Sequence, residues 1–126
     1  IANASDHMVV IADPSKQVER LGAFPLPVEV TPFGYTITAK KVFDVLCAAG
    51  VDRPRVELRK KPGSMEMLVT DGGNHILDCH CGRIPDAEAL AARLSNVPGV
   101  VEHGLFIGIA RTVIIGNENG ATVFEF

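Results

Sequence analysis

Lys16 stands on a polar turn, Asp13-Pro14-Ser15-Lys16-Gln17, that directly follows the apolar run Val9-Val10-Ile11-Ala12. The run reads as a buried strand. In open α/β sheets, ligand-binding groups come from the loops at the carboxyl ends of strands. An ammonium in such a loop suits a small anionic substrate. A solvated turn lysine is the plainer alternative, since loops carry both functional and ordinary polar residues. Asp13 can orient the turn by accepting backbone N–H bonds two residues on, and no catalytic role is expected of it. The residues before Val9 hold no glycine-rich phosphate loop and no initiator Met. Lys16 therefore reads as one corner of a site whose other corners lie on sequence preceding Ile1.

Other chemistry-bearing residues cluster less productively. His75, Asp78, Cys79, His80 and Cys81 are all metal-ligand types. On a strand, Asp78 and His80 face one way while His75, Cys79 and Cys81 face the other. Neither face has the spacing of a closed zinc site, so no metal is expected, and these residues should finish a sheet edge. Glu102 and His103 could form an acid–base pair by type. Neighbours on a strand point to opposite faces, which favours a hinge role for His103.

Composition narrows the function classes. The chain has 126 residues, 47% hydrophobic and 21% charged, with a net charge of -3 and a pI near 5.8. That is one modest globular domain by size, and its acidity argues against a nucleic-acid partner. The basic run Arg59-Lys60-Lys61, after Arg55, has no interleaved aromatic residues and reads as a solvated strand end. No window approaches the roughly eighteen apolar residues of a membrane span, and no secretory leader pattern opens the chain. Three cysteines, Cys47, Cys79 and Cys81, look like small apolar fillers in a reducing, cytoplasmic compartment.

The elements that must position these residues follow from periodicity. Ala39, Val42, Phe43 and Leu46 fall at helical spacing between Gly34 and Gly50, predicting a helix over 36–49. Arg55 to Lys60 alternates as a strand, and Met65 to Val69 should return beside it as a hairpin. Asp71-Gly72-Gly73-Asn74 is a turn, and Ile76 to Cys81 is extended. Asp86 is the natural N-cap of a second helix with Leu90, Leu94 and Val97 on its buried side. Val100 to Glu102, Leu105 to Ile109, Thr112 to Ile115 and Ala121 to Phe126 read as extended, with Asn117-Glu118-Asn119-Gly120 as a hairpin turn.

From Pro27 to Phe106 the order is strand, helix, strand, strand, helix, strand, a split βαβ unit of ferredoxin-like type. The strands outside it lack partners there and most simply form a second sheet. The expected architecture is thus α/β, the remnant of a Rossmann-like domain (1–26 and 107–126) with an inserted ferredoxin-like α+β small domain (27–106).

Four stretches then resemble the type A ribose-5-phosphate isomerases. They are Ile11-Ala12-Asp13-Pro14-Ser15-Lys16-Gln17-Val18, Leu21-Gly22-Ala23-Phe24-Pro25-Leu26-Pro27-Val28-Glu29-Val30, Thr70-Asp71-Gly72-Gly73-Asn74-His75-Ile76-Leu77-Asp78, and Pro98-Gly99-Val100-Val101-Glu102-His103-Gly104-Leu105-Phe106. The resemblance implies interconversion of ribose 5-phosphate and ribulose 5-phosphate in the pentose phosphate pathway, without metal or other cofactor. It implies an enediol-type proton transfer, a carboxylate base, and donor groups that steady the oxyanion.

The family's threonine-bearing phosphate loop, its aspartate-rich loop and its segment with the catalytic glutamate precede the position matching Ile1. The resemblance therefore leaves no catalytic residue here and only Lys16 as a substrate-binding residue. Gly72 replaces an asparagine frequent in the family's turn, a change that glycine's backbone freedom tolerates. The partners implied are a sugar-phosphate substrate, the N-terminal half of the same enzyme, and further copies in a dimer or tetramer. The chain alone is expected to be inactive. The competing readings are a non-enzymatic ferredoxin-like module that binds or senses a small molecule, and one half of a split enzyme active only with its N-terminal partner.

Overall fold

The computed structural model describes residues 1–126 and has an α/β fold with two sheets. Its elements are β1 (Val9–Ala12), β2 (Leu26–Val30), α1 (Tyr35–Ala48), β3 (Arg55–Leu58), β4 (His75–His80), α2 (Ala87–Ser95), β5 (Val100–His103), β6 (Thr112–Asn117) and β7 (Gly120–Glu125). The chain divides into two compact units, Arg20–Leu105 and the pair Ile1–Glu19 with Phe106–Phe126. No helix is long and apolar enough to cross a membrane.

In the Arg20–Leu105 unit the strand order is β3-β4-β2-β5, and every neighbouring pair is antiparallel. Alternation decides which face is buried. Leu26, Val28 and Val30 of β2 and His75, Leu77 and Cys79 of β4 point inward, while Pro27, Glu29, Ile76 and Asp78 do not. Val42 and Leu46 of α1 and Leu90 and Leu94 of α2 join those strand residues in one core cluster. Both helices therefore cover the same face of the sheet. Burying each of these aliphatic side chains is worth about 1.5–3 kcal/mol.

Local chemistry sets the helix ends. The Asp86 carboxylate accepts a hydrogen bond from the Ala89 N–H at 2.9 Å and starts α2. Beyond α1, Gly50 turns left-handed at φ +87°. Its N–H donates to the Cys47 carbonyl at 3.1 Å, and the Val51 N–H donates to the Leu46 carbonyl at 3.0 Å. That is a complete Schellman stop, with Val51 buried beneath it.

Several expectations need correction. Thr38 rather than Phe43 completes the buried stripe of α1, because residues 38, 42 and 46 stack along one line while Phe43 is rotated off it and is exposed. Met65 to Val69 forms no strand. It meets the extension of β3 at a Lys60–Met67 bridge, where the Lys61 N–H donates to the Glu66 carbonyl at 2.9 Å and the Leu68 N–H to the Arg59 carbonyl at 3.0 Å. β4 is interior rather than an edge, because β3 and β2 flank it. Leu105 to Ile109 is irregular.

In the other unit the order is β1-β6-β7. β1 runs parallel to β6, with Val9 opposite Thr112 and Ala12 opposite Ile115. β6 and β7 form an antiparallel hairpin turning at Glu118 and Asn119, where the Asn119 N–H donates to the Asn117 side-chain oxygen at 2.8 Å. β1 is not buried as its composition suggests: Val9 is 47% and Ile11 76% exposed. Every residue of β7 is exposed as well.

Candidate functional site

The carboxyl end of β1 leads straight into a 3-10 turn, Pro14–Lys16. Asp13 precedes it in an extended conformation, and Pro14 occupies its first position, where a fixed φ and a missing N–H are harmless. The Asp13 carboxylate accepts a hydrogen bond from the Ser15 N–H at 2.8 Å. The Asp13 carbonyl accepts from the Lys16 N–H at 3.1 Å, and the Pro14 carbonyl from the Gln17 N–H at 3.2 Å. Hydrogen bonding with Ser15 holds the Asp13 carboxyl below its ordinary value, with help from the Lys16 charge. Lys16 itself is exposed. An ordered turn thus presents a free ammonium at the end of a parallel strand, an arrangement able to hold a phosphate, a carboxylate or a developing oxyanion.

The structure also reveals a linkage that no sequence signal marks. The Thr112 hydroxyl donates to the Glu125 carboxylate at 2.9 Å and lies 2.9 Å from His7 Nε2. The hydroxyl's one proton goes to Glu125, so His7 donates and cannot act as a base toward Thr112. The linkage clamps the start of β6 to the end of β7 and sits at the opposite end of β1 from Lys16.

The remaining candidates are occupied within the Arg20–Leu105 unit. Arg59 grips both carboxylate oxygens of Asp78, with Nη2 at 2.6 Å from Oδ1 and Nε at 3.0 Å from Oδ2. Arg59 is therefore half-buried in an ion pair rather than a solvated strand end. His80 Nε2 lies 3.2 Å from Glu57, which also pairs with Arg55. Asp78 and His80 share a face, as the alternation requires, and each engages β3 and its extension. His75, Cys79 and Cys81 line the buried face, where His75 meets the ring of Tyr35 edge-on at 5.5 Å. Burial pushes the Cys79 thiol up to about 12 and the Cys81 thiol upward as well.

Glu102 and His103 do not pair as acid and base. The Leu105 N–H donates to His103 Nδ1 at 3.2 Å, which leaves the ring proton on Nε2, 3.0 Å from the Ser95 hydroxyl. Ser95 in turn donates to the Ala91 carbonyl at 3.0 Å. His103 thus ties the exit of β5 to the last turn of α2. The motif Thr70 to Asn74 has a similar structural explanation. Glu29 accepts from the Thr70 hydroxyl at 2.8 Å and from the Asn74 amide at 3.1 Å, pinning the Asp71-Gly72-Gly73 turn to the open face of the sheet.

Comparison with known proteins bears on this arrangement. The family model described as ribose 5-phosphate isomerase A (phosphoriboisomerase A) matches residues 1–120. Ribose-5-phosphate isomerase A of Maricaulis maris (strain MCS10) is 56% identical over 125 residues, covering 99% of this chain and 54% of the relative. The solved ribose 5-phosphate isomerase A of Methanocaldococcus jannaschii superposes with a TM-score of 0.80 at 33% identity, over 97% of this chain and 51% of that one. A D-ribose-5-phosphate isomerase solved in complex with phospho-erythronic acid gives 0.82 at 30% identity, over 95% of this chain and 50% of that one. The chain spans about half the length of the curated relatives it matches.

Proposed function

Because this chain belongs to the ribose 5-phosphate isomerase A family, we propose that it is the C-terminal part of an enzyme that interconverts ribose 5-phosphate and ribulose 5-phosphate. The observation that carries the reading is Lys16, exposed on a capped turn at the carboxyl end of β1. The solved relative in complex with phospho-erythronic acid supports an anionic ligand. In this reading Lys16 holds or polarises the oxygen-rich end of the sugar while charge develops on it. The carboxylate base that moves the proton between the first two sugar carbons comes from the segment that precedes Ile1 in full-length relatives.

The same reading makes β1, β6 and β7 part of a Rossmann-like domain and Arg20–Leu105 the core of a ferredoxin-like insertion. Apolar parallel strands are covered on both faces in complete sheets of that kind. The exposed Val9 and Ile11 fit a strand that the N-terminal half covers. The test is Lys16→Met in the full-length enzyme, which keeps most of the stem and removes the charge. Its kcat/KM for ribose 5-phosphate should fall by at least about tenfold, with an unchanged thermal midpoint. Wild-type kcat/KM in this variant would reduce Lys16 to a solvated turn residue.

A further inference from the structure

We propose that Asp13 is the positioning residue for Lys16, its carboxylate cap on the Ser15 N–H fixing the direction in which the lysine stem leaves the turn. The proposal rests on the reading of Lys16 as a substrate-binding group and adds a residue to that site.

Three observations carry it. First, a single residue holds two successive N–H groups of the turn: the Asp13 side chain takes that of Ser15 at 2.8 Å, and its carbonyl takes that of Lys16 at 3.1 Å. Second, Pro14 locks φ at the first residue of the turn, which narrows the ways Lys16 can move relative to Asp13. Third, the turn is exposed throughout, from Asp13 to Gln17. Within this chain no buried side chain of the turn anchors it, so the cap acts beside the turn's own backbone bonds from the Lys16 and Gln17 N–H groups. The Lys16 charge also favours the ionised form of Asp13, the better acceptor.

Loss of the cap costs the fold little, because water can reach the released Ser15 N–H. It costs the site more, because a group displaced by about 1 Å can lose up to about a hundredfold in rate. Asp13 does not touch substrate in this account; it acts through Lys16. Its effect must therefore vanish once the ammonium is gone.

The experiment is a double-mutant cycle in the full-length enzyme, reading kcat and KM separately for ribose 5-phosphate, with thermal midpoints measured alongside. Asp13→Ala should lower kcat/KM by about tenfold, within the range that misplacement allows. Asp13→Asn keeps an acceptor of similar capping strength and should recover most of that loss. Asp13→Ala in the Lys16→Met background should be no slower than Lys16→Met alone. Additive losses, or an Asp13→Asn variant as slow as Asp13→Ala, would overturn the positioning role and leave Lys16 standing. A Lys16→Met enzyme with wild-type kcat/KM would overturn the site itself, and the positioning role with it.

Discussion

Arg59 and Asp78 meet side by side across β3 and β4, the guanidinium donating to both carboxylate oxygens at 2.6–3.1 Å. Arg59 lies just past the end of β3, and Asp78 lies on the open face of interior β4. The pair ties the extension of β3 to the sheet at the point where regular pairing with β4 gives way to the Met65–Val69 segment.

Asp78→Ala should therefore destabilise the chain by about 1–2 kcal/mol, more than an exposed pair would and less than a fully buried one. The side chains are 33% and 21% exposed, which sets that intermediate value. Urea unfolding of Asp78→Ala, Arg59→Met and the double variant checks it. The double variant should cost less than the sum of the two single changes. Strict additivity would mean the two groups do not depend on each other.

Gly99 is where α1 approaches the turn between α2 and β5. It sits at φ +95°, and a Cβ built there would lie 2.5 Å from the Thr38 hydroxyl. Its carbonyl is held by the Thr31 N–H at 2.9 Å, so the turn has little room to swing away. Gly99→Ala should cost about 2–4 kcal/mol, combining left-handed strain with the collision. Thr38→Ala removes the collision and not the strain, so the double variant should be more stable than Gly99→Ala. A Gly99→Ala protein within about 0.5 kcal/mol of wild type, the range of ordinary surface changes, would contradict the close approach.

The buried thiols give a pH dependence with a definite sign. Cys79 moves from an ordinary 9.0 to about 12 on folding, chiefly through desolvation. The folded state keeps this proton longer than the unfolded state. Its contribution to stability is therefore complete below pH 9 and is lost as pH rises from 9 toward 12. Stability should fall there by up to about 1.4 kcal/mol per pH unit for this group, and Cys81 adds in the same direction. Urea midpoints between about pH 8 and about pH 10.5 should decline for wild type and decline less steeply for Cys79→Val, in which Cys81 still titrates. In the same protein the exposed Cys47 should alkylate at neutral pH while Cys79 resists until unfolding.

Much of this architecture was legible because it rests on local rules. The alternation from His75 to Cys81 assigned each side chain to the correct face, and Asp86 marked the start of α2 to the residue. Gly50 marked the end of α1. What escaped was set by competition between distant segments. Met65 to Val69 has the composition of a strand, but only Met67 bridges to Lys60, past the end of β3, and no local pattern announces how short that pairing is. Phe43 sits one position from the buried stripe, a displacement that spacing alone does not resolve. At the candidate site, Lys16 and the Asp13 cap follow from the Asp-Pro-Ser-Lys order. The His7–Thr112–Glu125 linkage joins residues far apart in sequence and was invisible.

On the proposed function, this chain supplies the lysine corner of an isomerase site and the N-terminal half of full-length relatives supplies the proton-transferring base. This central claim is tested most directly by following ribose 5-phosphate in deuterium oxide by proton NMR. Three samples suffice: the purified 126-residue chain, the chain mixed with its N-terminal half, and the full-length enzyme. The account predicts no isomerisation and no deuterium uptake with the chain alone, and formation of ribulose 5-phosphate with the full-length enzyme. Positioned proton transfer is worth about 10²–10⁴-fold, so its absence is readily seen. Turnover by the chain alone, free of any N-terminal half, would contradict the account, as would a full-length enzyme that leaves ribose 5-phosphate unchanged.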